Sequence, residues 1–141
     1  MNTNSLSLVQ KLRAFCFAIL LVPLLQQGVA AHSFSTSFLT IEPTGQPQQL
    51  RWSWRFTAHD IEALTGDSNP QAALPLLGEW LNFGENCRPL ASDTIKPGVH
   101  AGEQTYTFSG TAPCVYTDDI KYTVKHIFGP LPDHKVLRQS N

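Results

Sequence analysis

Much of what would assign a chemistry to this 141-residue chain is missing from it. There is no Gly-x-Ser-x-Gly, no glycine-rich phosphate loop, and no Ser, His and Asp at a telling spacing, so neither an activated nucleophile nor a nucleotide cradle can be read from it. His-x-x-x-His and Glu-x-x-His are absent too, which leaves no local zinc signature. No run of Lys and Arg occurs, and the chain carries 10 basic against 11 acidic residues. That balance speaks against nucleic acid as a partner. Cysteine is scarce, with three residues and no Cys-x-x-Cys, which sets thiol redox catalysis aside. What is present is an ordinary globular composition, 42% hydrophobic and 15% charged, enough for one packed core.

The first 31 residues read differently from the rest. A polar stretch ends in the cations Lys11 and Arg13, the apolar segment Ala14 to Leu25 follows, and Gln26 to Ala31 closes in small residues. Charged start, short apolar middle and small-residue end are the parts of a secretory signal. The apolar segment falls well short of the roughly 20 residues that a stable span needs, and Pro23 breaks it near its end; the competing reading is an uncleaved anchor. Val29-Ala30-Ala31 places small residues at both positions that a signal peptidase reads, so cleavage is expected after Ala31. The domain of residues 32–141 then keeps 8 basic against 11 acidic residues, a net charge of −3, because the leader takes Lys11 and Arg13 with it. No later segment is apolar enough to span a membrane: Ala72 to Leu81 is interrupted by Pro75, Gly78 and Glu79. The expected location is periplasmic or secreted.

Cys16 leaves with the leader. Cys87 and Cys114 remain, an even pair in an oxidising compartment, which predicts one structural disulfide. The alternative for two cysteines is a share in a metal site.

Beyond the leader the pattern is mainly β. His32 to Glu42 is rich in Thr, Phe and Ile, and Pro43 to Pro47 is a turn. Leu50, Trp52, Trp54 and Phe56 then alternate with Arg51, Ser53, Arg55 and Thr57. Period two predicts a half-buried strand with aromatics inward and arginines outward, hairpinned to the preceding segment. Thr57 can cap a short helix through Asp60 to Leu64, stopped by Gly66; Asn69-Pro70 suits a second helix start. Leu90 to Ile95 reads as a modest strand broken by Lys96-Pro97-Gly98, and Gln104 to Ser109 as another. Ile120, Tyr122, Val124, His126 and Phe128 alternate with Lys121, Thr123, Lys125 and Ile127 as a further strong strand, ended by Gly129 to Asp133. Together these predict an antiparallel β-sandwich, immunoglobulin-like, with a short helical insertion.

Few residues stand out chemically. Trp52 and Trp54, with Tyr106 and Tyr122, admit a sugar platform, although alternating aromatics on a strand usually face a core. His59 and His100 fall in cap or loop positions, and His126 on the apolar face of a strand. Asp118-Asp119 reads as a turn, and Gly66-Asp-Ser-Asn as plain loop rather than a calcium loop. His32 differs. Cleavage after Ala31 would give it a free α-amine beside its imidazole, a chelate suited to Cu(II) or Ni(II), with His134 as a conceivable further ligand.

Several segments share an order with a known family. The leader ends in Ala-Ala before His32-Ser-Phe-Ser-Thr-Ser-Phe-Leu-Thr-Ile41; a strand runs into the short acidic helix of Trp54 to Leu64; two cysteines follow; and the chain closes through Tyr122 to Leu137. This resembles the extracytoplasmic N-terminal domain of HupE/UreJ-like membrane proteins, in which a strand ending in Phe leads to an Asp-Pro-x-His-like turn and a Leu just before the membrane region. Phe128, Pro132, Asp133, His134 and Leu137 occupy that stretch here. The multi-helix region itself does not follow, and the family's acidic loop after the first helix is reduced to Gly66 to Pro70. The resemblance implies a non-catalytic accessory or binding domain that docks on a membrane-protein partner, and links it to nickel or another transition metal only by association.

Overall fold

The computed structural model describes residues 35–139. The leader, the cleavage point and His32 therefore lie outside the described residues. Eight strands and three short helices follow one another: β1 (Thr36–Pro43), β2 (Leu50–Thr57), α1 (Ala58–Thr65), a 3-10 helix (Pro70–Leu76), α2 (Leu77–Trp80), β3 (Leu81–Asn82), β4 (Leu90–Ala91), β5 (Lys96–His100), β6 (Glu103–Ala112), β7 (Thr123–Val124) and β8 (Lys135–Gln139). The architecture is mainly β. Six strands form one sheet in the order β4-β6-β2-β1-β8, with β5 also paired to β6, and β3 and β7 form a separate two-stranded ribbon.

The expected alternation decides which face of this sheet is dry. In β2, Leu50, Trp52, Trp54 and Phe56 are buried while Arg51 is exposed and Ser53 and Arg55 are half-buried. Strand residues two apart share a face, so the hairpin partner β1 contributes Leu39 and Ile41, and β6 contributes Phe108 and Ala112. Ile61 from α1, Ala73, Leu77, Trp80 and Ile127 close over them from the other layer. Each such large side chain stabilises the fold by roughly 1.5–3 kcal/mol relative to exposure. The tryptophans thus face the core, with Trp52 1% and Trp54 0% exposed, and do not form a sugar platform.

The local rules around α1 hold as expected. Thr57 accepts a hydrogen bond from the Asp60 amide at the N-terminus, and Gly66 ends the helix at φ 73°, a conformation open to residues without a Cβ. The segment opened by Asn69-Pro70 is helical but of the tighter 3-10 type, with Pro75 inside it; the missing N–H of Pro75 cannot serve an α-helical ladder.

Three expectations are corrected. Lys96-Pro97-Gly98 does not break a strand but begins β5, because a proline is tolerated on a strand with a free edge; the strand expected from Leu90 shrinks to two residues. Ile120 to Phe128 is not one long strand: Ile120 closes a turn onto Thr117, only Thr123–Val124 pair, and His126 takes a left-handed φ of 64°. That twist reverses the alternation, exposing His126 and burying Ile127. Finally, β8 was not expected at all, and it runs parallel to β1, whereas every other pairing is antiparallel.

Cys87 and Cys114 are joined, with Cα atoms 5.4 Å apart, tying the loop after β3 to the end of β6. Gly110 on β6 lies opposite Trp52. A Cβ there would collide with the Leu90 carbonyl oxygen and approach Trp52 Cζ2 to 2.8 Å. Glycine within a strand usually costs about 0.5–1 kcal/mol against alanine, but overpacking costs about 1–3 kcal/mol, so the clash wins. Gly110→Ala is expected to lower the melting temperature by several degrees, at roughly 4–8 °C per kcal/mol for a domain this size, whereas Ser109→Ala on the opposite face leaves it nearly unchanged. Circular-dichroism melts of the two variants check this.

Candidate functional site

Three of the four buried polar residues among the described residues gather at one place, Thr105 of β6 lying apart. Ser37, Asp60 and His134 are at most 5% exposed, and they come from β1, α1 and the segment leading into β8. Ser37 sits there because it occupies an inward position of β1, in phase with Leu39 and Ile41. Asp60 is brought in by the cap: Thr57 holds its amide at 3.1 Å, so its side chain turns back across the start of β1. The positive end of the helix also favours a carboxylate in the first turn. His134 is delivered by a turn in which its amide donates to the Leu131 carbonyl and the next amide, Lys135, donates to the Ser35 carbonyl at 2.9 Å.

The hydrogen bonds form a chain with a single direction. The Trp54 indole Nε1 donates to Ser37 Oγ at 2.8 Å. Ser37 Oγ and His134 Nε2 are 2.8 Å apart, His134 Nδ1 is in contact with Ser35 Oγ, and Ser35 donates to Asp60 Oδ1 at 2.6 Å. Indole N–H can only donate, and a carboxylate can only accept. Ser35 therefore gives its proton to Asp60 and receives the N–H of Nδ1. Nε2, left with its lone pair, accepts the Ser37 hydroxyl. Every donor in the chain is used when His134 is the neutral Nδ1–H tautomer. A second ring proton would leave the Ser37 hydroxyl without an acceptor in a dry site, a loss of about 1–3 kcal/mol.

Electrostatics agree with that assignment. Burial lowers the His134 pKa below its ordinary 6.5, and the Asp60 carboxylate opposes this only in part. Asp60 Oδ2 has no hydrogen-bond partner and lies 4.0 Å from Nδ1. Phe56 stacks on the imidazole, centroids 5.9 Å apart and planes at 21°, which supplies part of the desolvation.

The residues are those of a nucleophilic relay, but the arrangement is that of a clamp. Ser35 is inserted between imidazole and carboxylate, and Ser37, which faces Nε2, is fully buried and occupied by Trp54. A reacting carbonyl cannot reach its oxygen in this conformation. The cluster instead fastens β8 and its lead-in to β1, α1 and β2. A cleft of about 690 Å³ bordered by Glu42, Tyr116, Asp118 and Arg138 shares no residue with it.

His134 is thus placed among hydrogen-bond partners, both ring nitrogens engaged. Among the described residues no group of three or more His, Cys, Asp or Glu is arranged to hold a metal ion. The copper or nickel expectation therefore rests on His32, outside the described residues. Of the other histidines, His59 is exposed on α1, and His100 is not in a loop but on β5, edge-on to Phe38 at 5.1 Å. Asp118-Asp119 lies in a turn as expected. Sequence reading missed the cluster because its members are up to 99 positions apart. One signal was available: a serine at an inward position of an otherwise apolar strand face needs a buried partner.

No protein-family model matches the chain, and no curated protein matches it.

Proposed function

We propose that the chain works outside the cytoplasm as a disulfide-closed, non-catalytic accessory or binding domain, of the kind that precedes the membrane helices of HupE/UreJ-like proteins, and that it docks on a membrane-protein partner. The observation that carries the reading is the covalent pair Cys87–Cys114, since such bonds persist in oxidising compartments and are rare in the cytosol. The large sheet backed by a ribbon and short helices supports an immunoglobulin-like sandwich as the fold of that domain. Among the described residues no helix is long and apolar enough to cross a membrane. The enclosure of the cluster of Ser35, Ser37, Asp60 and His134 supports a binding role over a catalytic one.

Expressed from its full sequence, the chain is expected in the periplasmic or secreted fraction with an intact mass lacking Met1 to Ala31. Under denaturing conditions Cys87 and Cys114 should resist alkylation until a reductant is added. Cytosolic protein in which Cys87 and Cys114 both react without reductant overturns the reading.

A further inference from the structure

β1 outruns its parallel neighbour. The two strands pair from Thr36 beside Lys135 to Thr40 beside Gln139, while β1 continues to Pro43. Among the described residues Ile41 to Pro43 therefore pair with β2 alone. The step left at the sheet edge forms one wall of the cleft of about 690 Å³, and the segment after Cys114 supplies Tyr116 and Asp118 to the other. Two links hold that segment. The Cys87–Cys114 bond lies just before Tyr116, and Arg138 Nη1 donates to the Ile120 carbonyl at 3.1 Å. Ile41, Pro43 and the half-buried Tyr116 give the cleft an apolar side. Its charges stand apart from one another. Arg138 and Asp118 both border the cleft and are exposed, yet among the described residues neither has an ion-pair partner, and they do not pair with each other. Glu42, also at the rim, already has a partner.

The geometry points to a binding site for a small zwitterion, a free α-amino acid or dipeptide with an apolar side chain. A pure anion drawn to Arg138 would meet Asp118 and Glu42 as like charges, and a pure cation drawn to Asp118 would meet Arg138. A molecule carrying both an ammonium and a carboxylate satisfies both groups at once. The Ile120 carbonyl takes one donor of the guanidinium and steadies it, which leaves the rest of the planar fork for a carboxylate, the group it matches bidentately. Asp118 takes the ammonium, and the apolar side of the cleft takes the side chain. The volume falls within the roughly 300–1,000 Å³ of small-molecule sites. Walls already fixed by a disulfide and a hydrogen bond leave little to be ordered on binding. Such binding needs neither export nor a membrane partner, so this site and the accessory reading can fail separately.

The test is isothermal titration of the full chain, disulfide intact, with leucine and leucyl-leucine and with the amide and N-acetyl form of each. At least one of the two zwitterions is expected to bind, and the tighter of them gives the length of ligand that the cleft takes. Its amide, which lacks the carboxylate, and its N-acetyl form, which lacks the ammonium, should each bind about tenfold more weakly, the share of one charge-assisted contact. Arg138→Gln should weaken the zwitterion about tenfold and leave the amide unchanged. Asp118→Asn should weaken the zwitterion likewise and leave the N-acetyl form unchanged. Lys121→Gln, outside the cleft, should change nothing, and circular dichroism confirms that each variant is folded. Absence of binding by both zwitterions at millimolar concentration overturns the proposal. So do Arg138→Gln and Asp118→Asn variants that bind like the native chain, or that weaken free and blocked ligands alike, since a disturbed wall would do the latter without any contact to the charges.

Discussion

Replacing His134 by phenylalanine is expected to lower the unfolding free energy by about 2–4 kcal/mol, because two neutral polar groups each lose a partner at a cost of about 1–3 kcal/mol when buried. Phenylalanine keeps the ring stacked on Phe56, so the loss reads the hydrogen bonds and not a cavity. The fully buried Ser37 hydroxyl loses its acceptor, and the half-buried Ser35 loses a donor. Against a typical margin of roughly 5–15 kcal/mol, that moves the urea midpoint by a large fraction. A midpoint equal to that of the native chain would mean that the cluster contributes nothing to holding β8.

The same histidine sets a pH dependence. Its folded pKa lies below the ordinary 6.5, so between those two values the unfolded chain binds the extra proton and the folded one does not. Stability is then fully present above about pH 6.5 and falls as the solution is acidified through the window beneath it, with a limiting slope of about 1.4 kcal/mol per pH unit for one proton. Urea titrations at a series of pH values should show this slope in the native chain and a shallower one in His134→Phe. A stability that rises on acidification through this window would reverse the assignment of a neutral imidazole.

Removing the disulfide is the second large effect. The bond closes a loop of 27 positions, for which the chain-entropy account gives about 3–4 kcal/mol. The double variant Cys87→Ala with Cys114→Ala is expected to lose that much in urea unfolding, by raising the entropy of the unfolded chain. Cys87 is itself buried, so alanine is preferable to serine, which would add an unpartnered hydroxyl. An unchanged midpoint would show that the unfolded chain is already compact around this loop.

What could be read from the sequence was local. The alternation in Leu50 to Phe56, the Thr57 and Gly66 caps and the cysteine pair all follow from neighbours or from counting, and all are present. The long strand expected over Ile120 to Phe128 failed because periodicity cannot register a left-handed residue such as His126. β5 was hidden by Pro97, a residue that argues against a strand only where both edges must pair. The polar cluster required tertiary proximity between Ser35, Asp60 and His134, and no window of sequence contains it. β8 was invisible for the same reason: its pairing with β1 depends on a clamp that only the folded chain assembles.

The parallel course of β8 has a consequence for how the domain is held. Thr36 and Lys135 enter the sheet as neighbours, and Thr40 and Gln139 leave its described pairing together. Chain arriving ahead of Ser35 therefore meets one pole of the sheet, and chain departing past Gln139 does so from the other, roughly 13 Å away along the strands. A tether on the N-terminal side and one on the C-terminal side would pull along the strands from opposite poles, so a force applied between them loads β1 and β8 in shear instead of peeling them apart one hydrogen bond at a time.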